Sequence, residues 1–108
     1  MNVPDISGWW LSALGKIAYF ITQMDEAFVW RTIHPNGVEE TGIGRFISSE
    51  SESDAGEVVT LRLEARWNFH DGVVTAPIQS DMGTVRMNGN RAIQIVWDNS
   101  KDALNRLP

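Results

Sequence analysis

Val58-Val59-Thr60-Leu61-Arg62-Leu63-Glu64-Ala65-Arg66-Trp67 alternates apolar and polar side chains along nearly its whole length. Val59, Leu61, Leu63, Ala65 and Trp67 fall on one side; Thr60, Arg62, Glu64 and Arg66 fall on the other. A period of two is that of a β-strand with one face in a core and one in water. The stretch therefore predicts a sheet with a definite inside.

Outward from it, short apolar runs recur with turn chemistry between them, as in an all-β barrel or sandwich. They predict strands at about residues 8–13, 16–23, 27–33 and 38–47 on one side, and 73–80, 84–88 and 91–97 on the other, eight in all. His34-Pro35-Asn36-Gly37 has Pro where a tight turn fixes φ and Gly where φ turns positive. Asn88-Gly89 reads as a type I′ hairpin turn. Met24-Asp25-Glu26, His70-Asp71-Gly72 and Asp81-Met82-Gly83 read as further turns. Such connections are too short for crossover helices, so the sheet is antiparallel, and closing it removes both edges. The expected fold is one domain, residues 1–108, forming a small up-and-down antiparallel β-barrel of about eight strands.

Two segments depart from this pattern. Residues 48–56, Ser-rich and acidic, predict a mobile loop. In residues 99–107, Ser100 could cap a short C-terminal helix containing Asp102, Ala103 and Leu104, or the segment could finish as irregular chain. A weak repeat also appears: Trp30, Trp67 and Trp97 each close a strand before a turn. Either the three plug one end of the barrel or they are the trace of a duplication.

Composition narrows the functions. Five Trp, four Phe and one Tyr supply the bulk of the core, and without Cys there is no disulfide, thiolate metal site or thiol nucleophile. A net charge of -5 argues against nucleic acid as a partner. No apolar run reaches the roughly 18 to 20 residues of a membrane helix. Met1-Asn2-Val3-Pro4-Asp5 lacks the form of a secretory signal, so a cytoplasmic protein is expected.

No motif points to a catalytic centre, a metal or a cofactor. His34 and His70, with Asp71 nearby, could bind a metal or exchange protons, yet turn preference alone explains them. Glu39-Glu40, Glu64 and Asp81 could pair as acid and base, but read better as solvated strand charges. Gly42-Ile43-Gly44 is no phosphate-binding loop; strand glycines mark a bend, a bulge or close aromatic packing. Polar groups suited to fixing a ligand at the barrel mouth are Tyr19, Gln23 and Arg31 beside Trp30, with Arg45, Gln79 and Gln94 behind them.

The hairpin from Lys16 to Ile33 is apolar on both faces: Ile17, Tyr19 and Ile21 oppose Ala18, Phe20 and Met24, and Phe28 and Trp30 oppose Val29 and Ile33. The outside of a one-layer barrel meets water, so this hairpin predicts a homo-oligomer, most simply a two-fold dimer.

Ile6-Ser7-Gly8-Trp9-Trp10 resembles the Gly-x-Trp signature that opens the first strand of lipocalin-like (calycin) barrels. Ile21-Thr22-Gln23, Phe28-Val29-Trp30, Gly42-Ile43-Gly44 and Ile95-Val96-Trp97-Asp98-Asn99 extend the resemblance along most of the chain. By size, avidin-like barrels are equally similar. The resemblance implies that Trp10 lies across the barrel base and packs against Arg106. Architecture and resemblance together lead us to expect a non-catalytic barrel that binds a small apolar or aromatic ligand in its mouth. The alternatives are a cofactor-free isomerase or cyclase using the same cavity, and a structural or interaction protein whose barrel is filled by its own side chains.

Overall fold

A computed structural model describes residues 3–51, 59–71 and 77–108. Its strands are β1 (Gly8–Ser12), β2 (Ala18–Met24), β3 (Ala27–Ile33), β4 (Glu39–Ser51), β5 (Val59–His70), β6 (Gln79–Asn88), β7 (Arg91–Trp97) and β8 (Ala103–Arg106). Each pairs antiparallel with the next, and β8 returns to β1, so the sheet closes into a barrel. The all-β antiparallel barrel is thus the fold. No helix among the described residues is long and apolar enough to cross a membrane.

The alternation that defines β5 sets the inside. Leu61, Leu63 and Ala65 are buried, while Arg62 reaches outward to Asp98 at 2.5 Å. Neighbouring strands bring Trp10, Ile21, Phe28, Phe46, Val85 and Ile95 to the same core. Burial of each large apolar side chain stabilises the fold by about 1.5–3 kcal/mol, so a handful of such contacts carries a small barrel without cross-links. The β4–β5 register slips between Phe46 and Ser48, leaving Ile47 as the extra residue of a bulge.

Gly42 and Gly44 serve close aromatic packing. Gly42 lies opposite Trp30 and Gly44 opposite Phe28 on β3. A Cβ on Gly42 would come within 2.1 Å of the Trp30 indole, and one on Gly44 within 2.2 Å of the Phe28 ring. The rings lie flat across the backbone of β4 because nothing projects there.

Three sequence expectations are corrected. Asp81-Met82-Gly83 is the interior of β6, not a turn: Asp81 pairs with Ala65 and Gly83 with Leu63. The triplet looks like a turn because Gly83 is small, but its size makes room for the Trp97 ring, 3.0 Å from where its Cβ would lie. Strands expected at 73–80 and 84–88 are therefore one strand from Gln79, and residues 73–76 lie outside the described residues. Secondly, Ala103–Arg106 is a strand and not part of a helix. A helix there would leave the edges of β1 and β7 unpaired, whereas as β8 the segment gives both a ladder. Thirdly, the β6–β7 turn is centred on Gly89-Asn90: Asn88 pairs with Arg91, and of the two only Gly89 has positive φ, as a type II′ turn requires. Of the loop expected at 48–56, residues up to Ser51 belong to β4 and residues 52–56 lie outside the described residues. Of the turn expected at His70-Asp71-Gly72, His70 is the last residue of β5 and Gly72 lies outside the described residues.

One end of the barrel is closed. Arg106 lies over the Trp10 ring at 5.3 Å and donates hydrogen bonds of 2.7 Å to the carbonyls of Asp5 and Ser7. The Trp10 indole N–H donates to the Ile6 carbonyl at 2.9 Å, so the segment before β1 is strapped across this end.

Candidate functional site

The other end is a mouth lined by aromatic side chains. Trp30 on β3, Trp67 on β5 and Trp97 at the end of β7 form a chain of ring contacts, with centroids 6.4 Å and 5.9 Å apart and successive tilts of 44° and 45°. The repeat of tryptophans thus gathers three indoles at one end of the barrel, although only Trp97 ends its strand: β3 runs on to Ile33 and β5 to His70. Phe28 stacks on Trp30 from below at 6.1 Å. Between them and the start of β8 is a cavity of about 110 Å³. Tyr19, Glu40 and Asp102 complete its rim, and Ile21, Ile95 and Leu104 its floor.

Glu40 is the most buried charged residue of the rim, 5 % exposed, because the inward parity of β4 runs through Glu40, Gly42, Gly44 and Phe46. A buried carboxylate is costly unless its oxygens are hydrogen-bonded. Here the Trp30 indole N–H donates to Oε2 at 2.7 Å, the Tyr19 hydroxyl donates to Oε1 at 3.3 Å, and His34 Nε2 lies 3.0 Å from Oε1. Burial, followed by the charge of Glu40 and the bond to it, pushes the Tyr19 phenol far above its usual range.

Asp102 faces Glu40 across the mouth from the segment entering β8. It accepts from the Ser12 hydroxyl and from the amides of Leu14 and Ala103, both at 2.9 Å. Burial pushes its carboxyl up, but these hydrogen bonds outweigh burial and hold it below the usual aspartate value.

Of the ligand-site residues expected from sequence, Tyr19 and Trp30 line the cavity, whereas Gln23 and Arg31 do not. Gln23 shares the inward parity of Tyr19 but lies at the far end of β2. There its amide accepts from the Ile6 N–H at 2.7 Å and donates to the Pro4 and Asp25 carbonyls. Arg31 has the opposite parity to Trp30, lies on the outer face and pairs with Glu39 at 2.9 Å. Arg45 is outside too, paired with Glu64, and Gln94 bonds Asn105 across β7 and β8. Gln79 is exposed at the start of β6.

Glu40 and Asp81 correct the reading of the acidic residues as solvated, since both are buried. Asp81 accepts from the Asn99 side chain at 2.9 Å and from the Met82 and Asn99 amides, fixing the segment that follows Trp97. His34 and His70 have separate partners: His34 bonds Glu40 and sets its edge on Phe69, while His70 Nδ1 lies 3.5 Å from Glu39. Among the described residues no three His, Asp or Glu side chains gather as metal ligands.

A larger concavity of about 740 Å³ lies outside the barrel over β4, β5 and β6, bordered by Ile43, Arg45, Glu64 and Met82. It is an open furrow whose Arg45 and Glu64 satisfy each other. Comparisons with family models, curated proteins and solved structures gave no match to this chain.

Proposed function

We propose that the barrel holds a small molecule at its tryptophan-lined mouth and performs no chemistry on it. The observation that carries this reading is the half-open aromatic cavity between Trp30, Trp67 and Trp97. Its 110 Å³ restricts the ligand, since drug-sized sites take roughly 300–1,000 Å³ and an apolar void of about 150 Å³ takes up benzene. Long lipids are too large; a compact molecule, or the compact end of a longer one, has the right size. His34 bonds Glu40 and packs on Phe69 instead of facing a nucleophile, which favours binding over catalysis.

The test is tryptophan emission titrated with compact fragments no larger than benzene, in wild type and Trp67→Leu. A saturable change that the variant loses supports the reading. If no fragment gives saturation, the reading falls.

The closed end supports a lipocalin-like ancestry: Gly8-x-Trp10 with Arg106 over the indole is the arrangement which the resemblance implies. On the outside, Phe20, Met24, Val29 and Ile33 of the β2–β3 hairpin are between 41 % and 66 % exposed, which favours a homo-oligomer packed through that hairpin.

A further inference from the structure

Glu40 and Asp102 share an unusual property: their hydrogen bonds come from groups without a fixed positive charge. Glu40 is met by an indole, a phenol and an imidazole, Asp102 by a hydroxyl and backbone amides. Among the described residues neither forms an ion pair with Lys or Arg. Elsewhere in the barrel carboxylates do find guanidinium partners, as Glu39, Glu64 and Asp98 do. Neutral donors satisfy lone pairs, but they leave the charge itself without a counter-charge.

Between these carboxylates lie the rings of Tyr19, Trp30, Trp67 and Trp97. An aromatic ring carries negative charge on its faces, and the three indoles that line the cavity are tilted by about 45° to one another instead of stacked flat. The groups facing the cavity are therefore electron-rich, in a chain whose net charge is -5. An anion is repelled here. A neutral ligand displaces water from two carboxylates and offers nothing in return. A cation gains from both the carboxylates and the rings.

Size and ligand chemistry choose among cations. A void of about 150 Å³ takes up benzene, six heavy atoms, so 110 Å³ accommodates a group of about four or five heavy atoms. Calcium demands about 6–8 oxygen ligands, which two carboxylates already engaged in hydrogen bonds do not supply. Apolar aromatic walls suit an ion whose charge is spread over methyl or methylene groups. We propose that the barrel mouth binds a small organic cation, a methylated ammonium group, with Glu40 and Asp102 as counter-charges and Trp30, Trp67 and Trp97 as the cage. The proposal rests on the reading of the mouth as a ligand site and names the class of ligand.

The test compares tetramethylammonium chloride with tert-butanol, an uncharged molecule of similar shape, by tryptophan emission at pH 8. Sodium chloride holds the ionic strength constant. Tetramethylammonium is expected to saturate and to bind about tenfold more tightly than tert-butanol, a difference of about 1.4 kcal/mol. Asp102→Asn and Glu40→Gln, each checked for folding by circular dichroism, are expected to weaken tetramethylammonium binding and so erase most of that preference. If wild type binds tert-butanol as well as the cation, the inference is overturned and the ligand-binding reading survives. Saturation by neither probe overturns both. A cation preference unmoved in both folded variants removes the carboxylates from the site and overturns the assignment.

Discussion

The indoles of Trp30 and Trp67 meet at 6.4 Å although their strands are not neighbours, because Gly42 stands between them and pairs with both. The aromatic mouth thus depends on a missing side chain. Gly42→Ala is expected to push the Trp30 ring aside, weaken its bond to Glu40 and cost about 1–3 kcal/mol, as overpacked cores do. Urea unfolding followed by tryptophan emission measures this. An unchanged midpoint with unchanged emission contradicts the close approach.

Arg106→Ala removes the contact over Trp10 and two hydrogen bonds to the segment before β1. Hydrogen bonds to charged groups contribute about 1.5–3 kcal/mol, and a loss of that order is expected in thermal unfolding. Arg106→Lys should recover little, because a lysine cannot span both carbonyls with one planar fork. Ligand binding at the opposite end should be retained; its selective loss with stability intact would make Arg106 part of the site.

Tyr19 is the chain's single tyrosine, so the ultraviolet difference absorbance of tyrosinate reports it alone. Its phenol is pushed above the ordinary 10.0 by burial and by Glu40, so the neutral form is favoured in the fold. The resulting stability is complete below pH 10 and is lost as pH rises through the higher folded-state value. Ionisation is expected to be delayed to strongly alkaline pH, and Glu40→Gln to bring it nearer 10. Titration at the free-phenol value in wild type would contradict the burial.

Asp102 shows the opposite sign. Its folded-state value lies below the ordinary 3.8, so its contribution to stability is present above that pH and is lost as pH falls through the folded value. Urea midpoints measured across the acid range should drop more steeply in wild type than in Asp102→Asn. Parallel acid profiles would show that the Ser12, Leu14 and Ala103 bonds do not favour the ionised form.

The outer face of the β2–β3 hairpin predicts self-association. Phe20 contacts Trp9 at 5.0 Å on that face, and both rings are about half exposed. Sedimentation velocity is expected to show an oligomer that Phe20→Lys or Val29→Lys converts to monomer. A monomeric wild type at all accessible concentrations rules this out.

How far the sequence could be read follows from how long each pattern runs. Alternation over β5 announces its inward face, whereas β3 is apolar on both sides and gives no such sign; the recurrence of Trp30, Trp67 and Trp97 corresponds to their meeting in space. β8 has four residues, too few for a period to show, and only the edges of β1 and β7 determine its form. Glu40 was misread because its charge type suggested solvent, although counting back in twos from Phe46 turns it inward. The same parity puts Arg31 outside, opposite Trp30. For Gln23 and Asp102 no local signal exists: their partners Ile6 and Ser12 are 17 and 90 residues away.

The closed end also has a consequence for how the chain is made. Arg106 holds Ser7 across 99 residues, and the ring needs β8 to fill the gap between β1 and β7. During synthesis the first strand must wait for the last, so every earlier intermediate is an open sheet with two bare edges. Such long-range closure makes for slow folding and exposes edges to other chains. A ribosome that stalls before Ala103 leaves a nearly complete barrel whose β1 and β7 edges lack the strand that joins them, open to pairing with other chains.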